Sequence, residues 1–229
     1  MRKTILIAGN GKLANKLKSD LPEVGCALSL IIDAWDNRQE YTDYADIVIV
    51  HVGSGRQLPE ITAYCRQHTV PLLQGATGVE YDPEDVDFSL VIAPNFSVLL
   101  IKFMHLLRGY GRLFQGYDIS LVESHQATKN TTPGTAVEIA QSVGVPSSEI
   151  ISVRDPNVQQ HELHIPAEFL DQHAVHLLKI TDGSSALTMT TEVMGLDSYV
   201  AGALQVIKVL DRLEAKKYQI TDLISMGLV

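Results

Sequence analysis

The chain has 229 residues, 45% of them hydrophobic, and a formal net charge of −9 at pH 7. This composition suits one large or two modest globular domains with a buried core, and it excludes a disordered chain. The acidic balance argues against a nucleic-acid binder, which needs a basic face to neutralise phosphates. The apolar stretches are far shorter than the about 20 residues that span a bilayer, so we expect no membrane segment.

The start of the chain predicts the compartment, and the cysteines and histidines bear on metal binding. Met1 leads almost directly into a strand-like segment, without the apolar core and cleavage site of a signal peptide, so we expect a cytoplasmic protein. Cys26 and Cys65 lack CxxC spacing and are interpreted as inert core thiols. His161 and His164 are three apart on a predicted strand, which would turn them to opposite faces, so no metal site is expected.

The chain begins in the order strand, glycine turn, helix, strand. An apolar strand is predicted at Thr4–Ala8, a helix at Asn15–Leu21 and a second strand at Leu28–Ile32. The turn Gly9-Asn-Gly11-Lys-Leu-Ala14 has the pattern G-x-G-x-x-A, and Asp33 follows the second strand. Such glycines let a pyrophosphate approach the backbone at a helix N-terminus, and the carboxylate can accept ribose hydroxyls. A plain tight turn is the alternative, but the context favours a dinucleotide site.

Strands and helices continue to alternate up to residue 97. Further strands are predicted at Asp46–Val50, Val70–Leu73 and Leu90–Ala93, with a helix at Pro59–His68. Ligands bind beyond the carboxyl ends of the strands in an open parallel sheet, so the loops after these strands should line one crevice. Those loops are His51–Gly55, Gly75–Gly78 and Pro94–Ser97. His51 can contact a ligand there, but a hydrogen-bonded structural histidine is favoured.

After a long predicted helix at Val98–Phe114 the pattern changes. Strands then follow one another with only one helix, Thr135–Val143, among them, which implies a mixed or antiparallel sheet with one covered face. These strands are predicted at Tyr117–Val122, Glu149–Arg154, Glu162–Ile165, Ala174–Thr181 and Leu187–Glu192. Helices at Ser198–Leu213 and Asp222–Met226 end the chain. The predicted fold is α/β, a Rossmann-type parallel-sheet nucleotide domain plus an α+β domain.

A polar loop between the first of these strands and the helix concentrates reactive groups. It reads Glu123-Ser-His-Gln-Ala-Thr-Lys-Asn-Thr-Thr-Pro-Gly-Thr-Ala136. The imidazole of His125 can donate or accept a proton, and Lys129 can stabilise a carboxylate or a developing anion. Thr135 can cap the helix, whose first N–H groups can bind a carboxylate. Glu123 can orient the imidazole or simply end the strand, and an ordinary surface loop is equally consistent with these residues.

This loop resembles the signature of bacterial dihydrodipicolinate reductases, roughly E-x-H-H-x-x-K-x-D-x-P-S-G-T-A, shortened here by one residue. Further resemblance runs through Tyr64–His68, Gly75–Gly78, Asn95–Ser97 and the closing Asp222-Leu-Ile segment, in the family's order and over nearly the whole chain. It implies a dinucleotide-binding domain at residues 1–97 and 200–229. Residues 98–199 would bind the substrate and form a homotetramer.

The resemblance also implies the reaction and the site residues. The reaction is reduction of 4-hydroxy-tetrahydrodipicolinate, a cyclic dicarboxylate, by NADH or NADPH in lysine and diaminopimelate biosynthesis. His125 matches the proton donor and Lys129 the second catalytic residue, whereas Gln126, Gly134 and Thr135 match the grip on a substrate carboxylate. The implied cofactor contacts are Gly9, Gly11, Lys12, Leu13, Asp33, Gly75, Ala76, Thr77, Pro94, Asn95 and Phe96.

The substrate loop departs from the family pattern. Gln126 replaces a second histidine, a serine is missing or replaced by Pro133, and Leu196 stands near the place of an expected arginine. Proline offers neither a hydroxyl nor an N–H group, so the grip would be weaker or the substrate different. The alternatives are a reductase for another cyclic dicarboxylate and an NAD(P)-binding protein of the same fold that has lost activity and serves as a sensor or scaffold.

Cofactor preference is nearly balanced. Asp33 favours NADH because a carboxylate accepts ribose hydroxyls and repels a 2′-phosphate, whereas Lys12 and Arg38 can attract that phosphate. The balance leans slightly to NADH, with use of both cofactors possible.

Overall fold

The computed structural model describes residues 3–25, 29–78, 80–83 and 85–229. The chain divides into two compact units, Met1–Val98 with Ser198–Val229 and Leu99–Asp197. Each unit contains its own sheet. The tasks assigned above to the two parts of the chain, nucleotide binding and substrate binding, stay predictions.

The first unit is built on a six-stranded parallel sheet in the order β10-β5-β4-β3-β1-β2. Its strands are β1 (Lys3–Ala8), β2 (Leu30–Ala34), β3 (Ile47–His51), β4 (Leu72–Gln74), β5 (Leu90–Ile92) and β10 (Lys217–Gln219). The central strands β1 and β3 are almost wholly buried, as continuous apolar strands between two layers of helices should be. The predicted parallel sheet is confirmed.

The helices of this unit differ from their predicted lengths. They are α1 (Lys12–Val24), α2 (Leu58–His68), most of α6 (Asp197–Leu210) and α7 (Ile220–Ser225). The first helix begins at the glycine turn and continues through Pro22, whose φ is compatible with a helix although it lacks an N–H donor. The predicted start of the second strand, Leu28, lies outside the described residues, as does Cys26. Cys65 is buried, and burial raises the pKa of its thiol, so it is an inert core residue.

The second unit is built on a four-stranded sheet in the order β7-β6-β8-β9. Its strands are β6 (Asp118–His125), β7 (Ile151–Val153), β8 (His173–Thr181) and β9 (Ala186–Met194), and its helices include α3 (Val98–Tyr110), α4 (Gly134–Val143) and α5 (Pro156–His161). Strand β6 pairs in parallel with β7 and antiparallel with β8, which confirms the mixed sheet. Ile139 and Val143 of α4 pack with Leu121 and Leu178 of the sheet.

One predicted strand of this unit, Glu162–Ile165, is wrong. The segment is a turn and loop after α5, and His164 has a left-handed φ of 55°. The helix begins because the Asp155 carboxylate accepts a hydrogen bond from Asn157 N and Pro156 occupies its first turn. The argument that placed His161 on the opposite face of a strand from His164 therefore falls away.

The described residues provide neither a cluster of metal ligands nor a membrane span. No group of three or more His, Cys, Asp or Glu side chains among them is placed to hold a metal ion. No helix among them is long and apolar enough to cross a membrane.

Candidate functional site

The carboxyl ends of β1, β3, β4 and β5 surround a cavity of about 300 Å³ in the first unit. We call this end of the sheet the glycine edge. The wall of the cavity contains most of the predicted cofactor residues, namely Gly11, Lys12, Leu13, Gly75, Ala76, Thr77, Pro94, Asn95 and Phe96. Gly9 lines an adjoining cavity of about 550 Å³, which shares Gly11, Val52 and Gly53 with the first. Asp33 lines neither cavity.

The backbone of the glycine edge is shaped for close approach. Gly9 has a φ of +143°, and a Cβ there would lie 3.0 Å from the carbonyl carbon of Val52. A Cβ on Gly75 would overlap the ring of Phe96, whereas a Cβ on Gly11 would project into open space. Gly11 also precedes α1 without a side-chain cap, so the first N–H groups of the helix are left for an anion. These features fit the pyrophosphate of a dinucleotide.

Asp33 lies on β2 and is held as an oriented acceptor. Ala34 N and Asn37 Nδ2 each donate to Asp33 Oδ1 at 2.7 Å, and the hydroxyl of Tyr41 donates to Oδ2 at 2.7 Å. Burial raises the pKa of this carboxyl, but these three hydrogen bonds outweigh burial and hold the pKa below its usual value. The side chain is therefore a carboxylate at neutral pH.

The two cations that could attract a 2′-phosphate, Lys12 and Arg38, differ in their surroundings. The guanidinium of Arg38 forms an ion pair with Glu60 and lies 4.4 Å from the centroid of the Trp35 ring. The side chain of Lys12 is exposed at the start of α1. The charge of Arg38 is thus already paired with Glu60, which makes Arg38 less available to a 2′-phosphate.

His51, at the end of β3, has the structural role that was favoured. The side chain is fully buried, and its Nδ1 lies 3.0 Å from Gln74 Oε1. That oxygen also accepts a hydrogen bond from Ala76 N at 2.7 Å, so it is the acceptor and Nδ1 carries the proton. Burial lowers the pKa of His51 below its usual value, although the bond to Gln74 opposes the shift. A neutral His51 thus supports the loop that follows β4.

In the second unit, Glu123 and His125 lie two residues apart on one face of β6. The side chain of Glu123 has no exposed surface, and its Oε2 is 2.8 Å from His125 Nδ1. Arg154 donates to both carboxylate oxygens, at 2.6 Å to Oε1 and 3.2 Å to Oε2. Burial raises the pKa of Glu123, but hydrogen bonds from His125, Arg154 and Ser152 outweigh it and lower the pKa to about 2.

An ionised Glu123 determines which nitrogen of His125 carries its proton. A carboxylate can only accept, so His125 Nδ1 must donate to it, and Nε2 is the nitrogen left for another molecule. The side chain of His125 remains 11% exposed, which is enough for a small molecule to reach it. Glu123 makes the contact with His125 that an orienting role requires, and the role itself stays a prediction.

His176 is a neighbour of this pair that the sequence did not single out. It pairs directly with Glu123 across β6 and β8, and its ring centroid is 5.7 Å from that of His125. Its Nδ1 is 3.1 Å from Thr191 Oγ1, and its buried Nε2 has no hydrogen-bond partner among the described residues. Burial and the charge of His125 lower the pKa of His176 to about 4, against the opposing effect of Glu123. His176 is therefore neutral at pH 7.

Arg154 was also missed, since it was included only as the end of a predicted strand. It directly follows β7, whose Val153 pairs in parallel with Ser124 of β6. The carboxyl ends of neighbouring parallel strands lie at the same edge of a sheet, which is the signal that could have found it. Its Nε donates to the carbonyl oxygen of Lys129 at 2.9 Å.

The rest of the polar loop leads into α4. Lys129 N donates to Gln126 O at 2.9 Å, which closes a turn. The helix begins at Gly134, and its N-cap is Pro133 without a side-chain hydrogen bond. The prediction that Thr135 caps this helix is therefore wrong, because Thr135 is already its second residue. The exposed Gly134 and the half-buried Thr135 leave the first turn uncapped by a side chain.

Comparison with known proteins shows the family. A family model described as "Dihydrodipicolinate reductase, C-terminus" matches residues 100–224, more than half of the chain. The chain belongs to the dihydrodipicolinate reductase family. The resemblance seen in the polar loop is thus confirmed.

Curated relatives carry the corresponding enzyme names. A rice protein, "Probable 4-hydroxy-tetrahydrodipicolinate reductase 1, chloroplastic", is 27% identical over 212 residues, which cover 81% of this chain and 60% of the relative. An Arabidopsis thaliana 4-hydroxy-tetrahydrodipicolinate reductase is 26% identical over 179 residues, covering 69% and 52%. The chain thus spans little more than half the length of these plant relatives. A Campylobacter jejuni reductase of the same name is 22% identical and covers 99% of this chain and 100% of the relative.

Solved structures share the fold. A dipicolinate-bound dihydrodipicolinate reductase from Paenisporosarcina superposes with a TM-score of 0.67 at 16% identity, over 96% of this chain and 98% of that chain. An aspartate semialdehyde dehydrogenase II from Vibrio cholerae gives 0.51 at 10% identity, over 92% and 98%. At these identities the likeness shows the fold alone. This fold, a Rossmann-type parallel sheet with a second mixed sheet, is that of dihydrodipicolinate reductases.

Proposed function

We propose that this chain is an NADH- or NADPH-dependent 4-hydroxy-tetrahydrodipicolinate reductase of lysine and diaminopimelate biosynthesis. The observation that carries the proposal is the buried, ionised Glu123 that holds Nδ1 of His125 at the end of β6. Family membership and the names of the relatives support the reaction. The dipicolinate-bound neighbour supports a small cyclic dicarboxylate as substrate.

The first unit binds the dinucleotide in this proposal. The bound cofactor would supply the hydride. Gly9 and Gly11 let the pyrophosphate approach the backbone, and the uncapped start of α1 offers N–H groups to it. The ionised Asp33 accepts hydrogen bonds from ribose hydroxyls. The other predicted contacts lie in the wall of the same cavity, which supports their assignment.

The second unit binds the substrate and moves the proton. Protonated His125 donates the hydrogen on Nε2, and the Glu123 carboxylate stabilises the charged imidazolium until the proton leaves. The 4-hydroxyl group of the substrate leaves as water to give dihydrodipicolinate, and hydride and proton together saturate the double bond that this elimination forms. Lys129 stabilises negative charge, while Gln126 and the N–H groups of Gly134 and Thr135 hold a carboxylate. With Pro133 in place of a serine, this grip relies on the uncapped helix end.

Steady-state assays with NADH and dihydrodipicolinate test these roles. We expect His125→Gln and Lys129→Met each to lower kcat by at least about tenfold, because each removes a group that acts in the reaction. His161→Gln, which changes an exposed histidine of α5, is the matched control and should keep its rate.

Two results would contradict the proposal. If neither variant lowers kcat, His125 and Lys129 are not the acid and the cation of the reaction. If the wild type binds NADH tightly but turns over neither dihydrodipicolinate nor related cyclic dicarboxylates, the chain is a nucleotide-binding sensor or scaffold instead.

A further inference from the structure

Arg154 contacts the supports of both proposed catalytic residues. Its Nη2 donates to Glu123 Oε1 and its Nη1 to Oε2, the same oxygen that accepts from His125 Nδ1. Its Nε donates to the carbonyl oxygen of Lys129, and Nη1 donates also to Val153 O at 2.9 Å. One planar group therefore joins the end of β6, the end of β7 and the polar loop.

These contacts leave little of the guanidinium for a ligand. An arginine has five N–H donors, and four hydrogen bonds to the protein account for all but one of them. Arg154 therefore cannot grip a substrate carboxylate through two parallel hydrogen bonds. Its position suits a residue that acts through others.

The carboxylate of Glu123 needs this partner to hold one orientation. It has no exposed surface, and a buried carboxylate is costly unless it is paired and hydrogen-bonded. Arg154 contacts both oxygens and so fixes the plane of the carboxylate, which in turn fixes the ring of His125. Without it, the carboxylate could rotate or take up a proton, and Nδ1 of His125 would lose its defined acceptor.

The contact with Lys129 places the second catalytic residue in the same frame. The turn between Gln126 and Lys129 is closed by a backbone hydrogen bond, so fixing the carbonyl of Lys129 fixes the whole turn. A lysine at position 154 would not reproduce this, because an ammonium presents its three donors from one point and cannot span the two oxygens and the carbonyl.

We infer that Arg154 is the positioning residue of this site. Its guanidinium orients His125 through Glu123 and orients Lys129 through its backbone carbonyl, so that the proton donor and the cation keep one mutual geometry. The inference rests on the proposed function for the roles of His125 and Lys129. The contacts of Arg154 themselves do not depend on it.

Kinetics of position-154 variants form the first test. We expect Arg154→Met, Arg154→Lys and Arg154→Ala to lower kcat by at least about tenfold, while the Kd for NADH changes less than threefold. Millimolar guanidinium should restore part of kcat in Arg154→Ala, because it can occupy the vacated space. A merely structural arginine would not show this rescue.

Arg108→Met is the matched control, since Arg108 forms an exposed ion pair with Glu138 in the same unit. We expect it to keep the wild-type kcat. The inference is overturned if the position-154 variants retain kcat within threefold of wild type. It is equally overturned if kcat falls in Arg154→Ala without any recovery in guanidinium.

Nitrogen NMR of histidine-labelled protein reports the tautomer of His125 and needs no turnover. The variant His125→Gln assigns the signal. We expect neutral His125 to carry its proton on Nδ1 in the wild type and in Arg108→Met, and to show mixed tautomers in Arg154→Lys, which keeps the positive charge. An unchanged tautomer overturns the inference. If the wild type lacks reductase activity but the tautomer still depends on Arg154, the proposed function fails and the positioning role stands.

Discussion

Two buried side chains on neighbouring positions of β6 and β8 differ in charge, since Glu123 is ionised and His176 is neutral. Glu123 is ionised because Arg154 and His125 donate to its oxygens, which more than offsets the cost of burial. His176 is neutral because burial and the charge of His125 lower its pKa by more than Glu123 raises it. Burial thus leaves a charged acceptor beside a neutral ring, because only the acceptor has strong hydrogen-bond donors.

The neutral His176 should make stability depend on pH. Its pKa is about 4 in the folded chain, against 6.5 for an ordinary histidine. Its contribution is fully present above about pH 6.5 and is lost as the pH falls towards 4, because the unfolded chain binds the proton first. Between pH 7 and about pH 5 this amounts to about 2 kcal/mol.

The variant His176→Phe keeps an aromatic ring at this buried position and removes the titration. We expect its free energy of unfolding to fall by about 2 kcal/mol less than that of the wild type over this pH interval. Urea unfolding of both proteins at the two pH values measures the difference. Equal losses in both proteins would show that His176 is not held neutral by the fold.

The pairing of Arg38 bears on the choice of cofactor. We expect the wild type to prefer NADH, because Asp33 is ionised and Arg38 is neutralised by Glu60. Glu60→Gln should release the guanidinium and lower KM for NADPH by a few-fold, the size of a partly exposed ion pair.

Comparing kcat/KM for NADH and NADPH measures this effect. Asp87→Asn, which breaks the exposed pair with Arg66 in the same unit, should leave the ratio unchanged. A wild-type preference for NADPH above about tenfold would show that the ionised Asp33 does not set the choice.

At the scale of elements, α6 supports the glycine edge from behind. Gly202 of α6 lies against the backbone of Phe96, and a Cβ there would overlap the Phe96 carbonyl oxygen. The ring of Phe96 in turn lies against Gly75. A helix glycine therefore sets how closely α6 approaches the loop that lines the cavity.

The substitution Gly202→Ala should consequently harm both stability and cofactor binding. We expect the free energy of unfolding to fall by about 1–3 kcal/mol, as for overpacked cores, and the Kd for NADH to rise. Gly109→Ala in α3 is the matched control, because nothing lies within 4 Å of a Cβ there. It should stabilise the helix by about 0.5–1 kcal/mol. Thermal unfolding measures the stability of the two variants, and NADH titration measures their Kd for the cofactor. Equal stability of the two variants would contradict the packing argument.

The elements also show where local patterns are sufficient. Long apolar runs such as Thr4–Ala8 predict strands because burial on both faces leaves a continuous signal. The strand β10, Lys217–Gln219, was not predicted, since three residues show no period and the strand forms only by pairing with β5. The segment Glu162–Ile165 alternates between polar and apolar residues, as a strand does. It is nevertheless a turn and loop, because it directly follows the helix that Asp155 and Pro156 begin.

At the scale of the whole molecule, we expect a homotetramer, as the family resemblance implies. Strand β9 is an edge of the second sheet and carries exposed side chains, Leu187 among them at 44%. An uncovered edge of this kind tends to pair with another chain.

Analytical ultracentrifugation should give a mass of about 100 kDa, four copies of the 25.1 kDa chain. Leu187→Lys should dissociate the assembly, whereas Leu113→Lys, an exposed leucine outside the sheet, should not. A monomer at micromolar concentration would exclude the tetramer.

The sequence by itself determined the family, the α/β class with its second mixed sheet, and most candidate residues, because these depend on local periodicity and on short motifs. The glycine turn and the polar loop each lie within about fourteen consecutive positions, so their chemistry is visible without a fold.

Only the tertiary structure decided which groups act on one another. Arg154 reaches Glu123 across 31 positions, and Arg38 reaches Glu60 across 22. His176 faces Glu123 only because of the register between β6 and β8. A shift of this register by one residue would turn His176 to the other face of the sheet. Charge state and orientation at the candidate site follow from such pairings, and no local pattern encodes them.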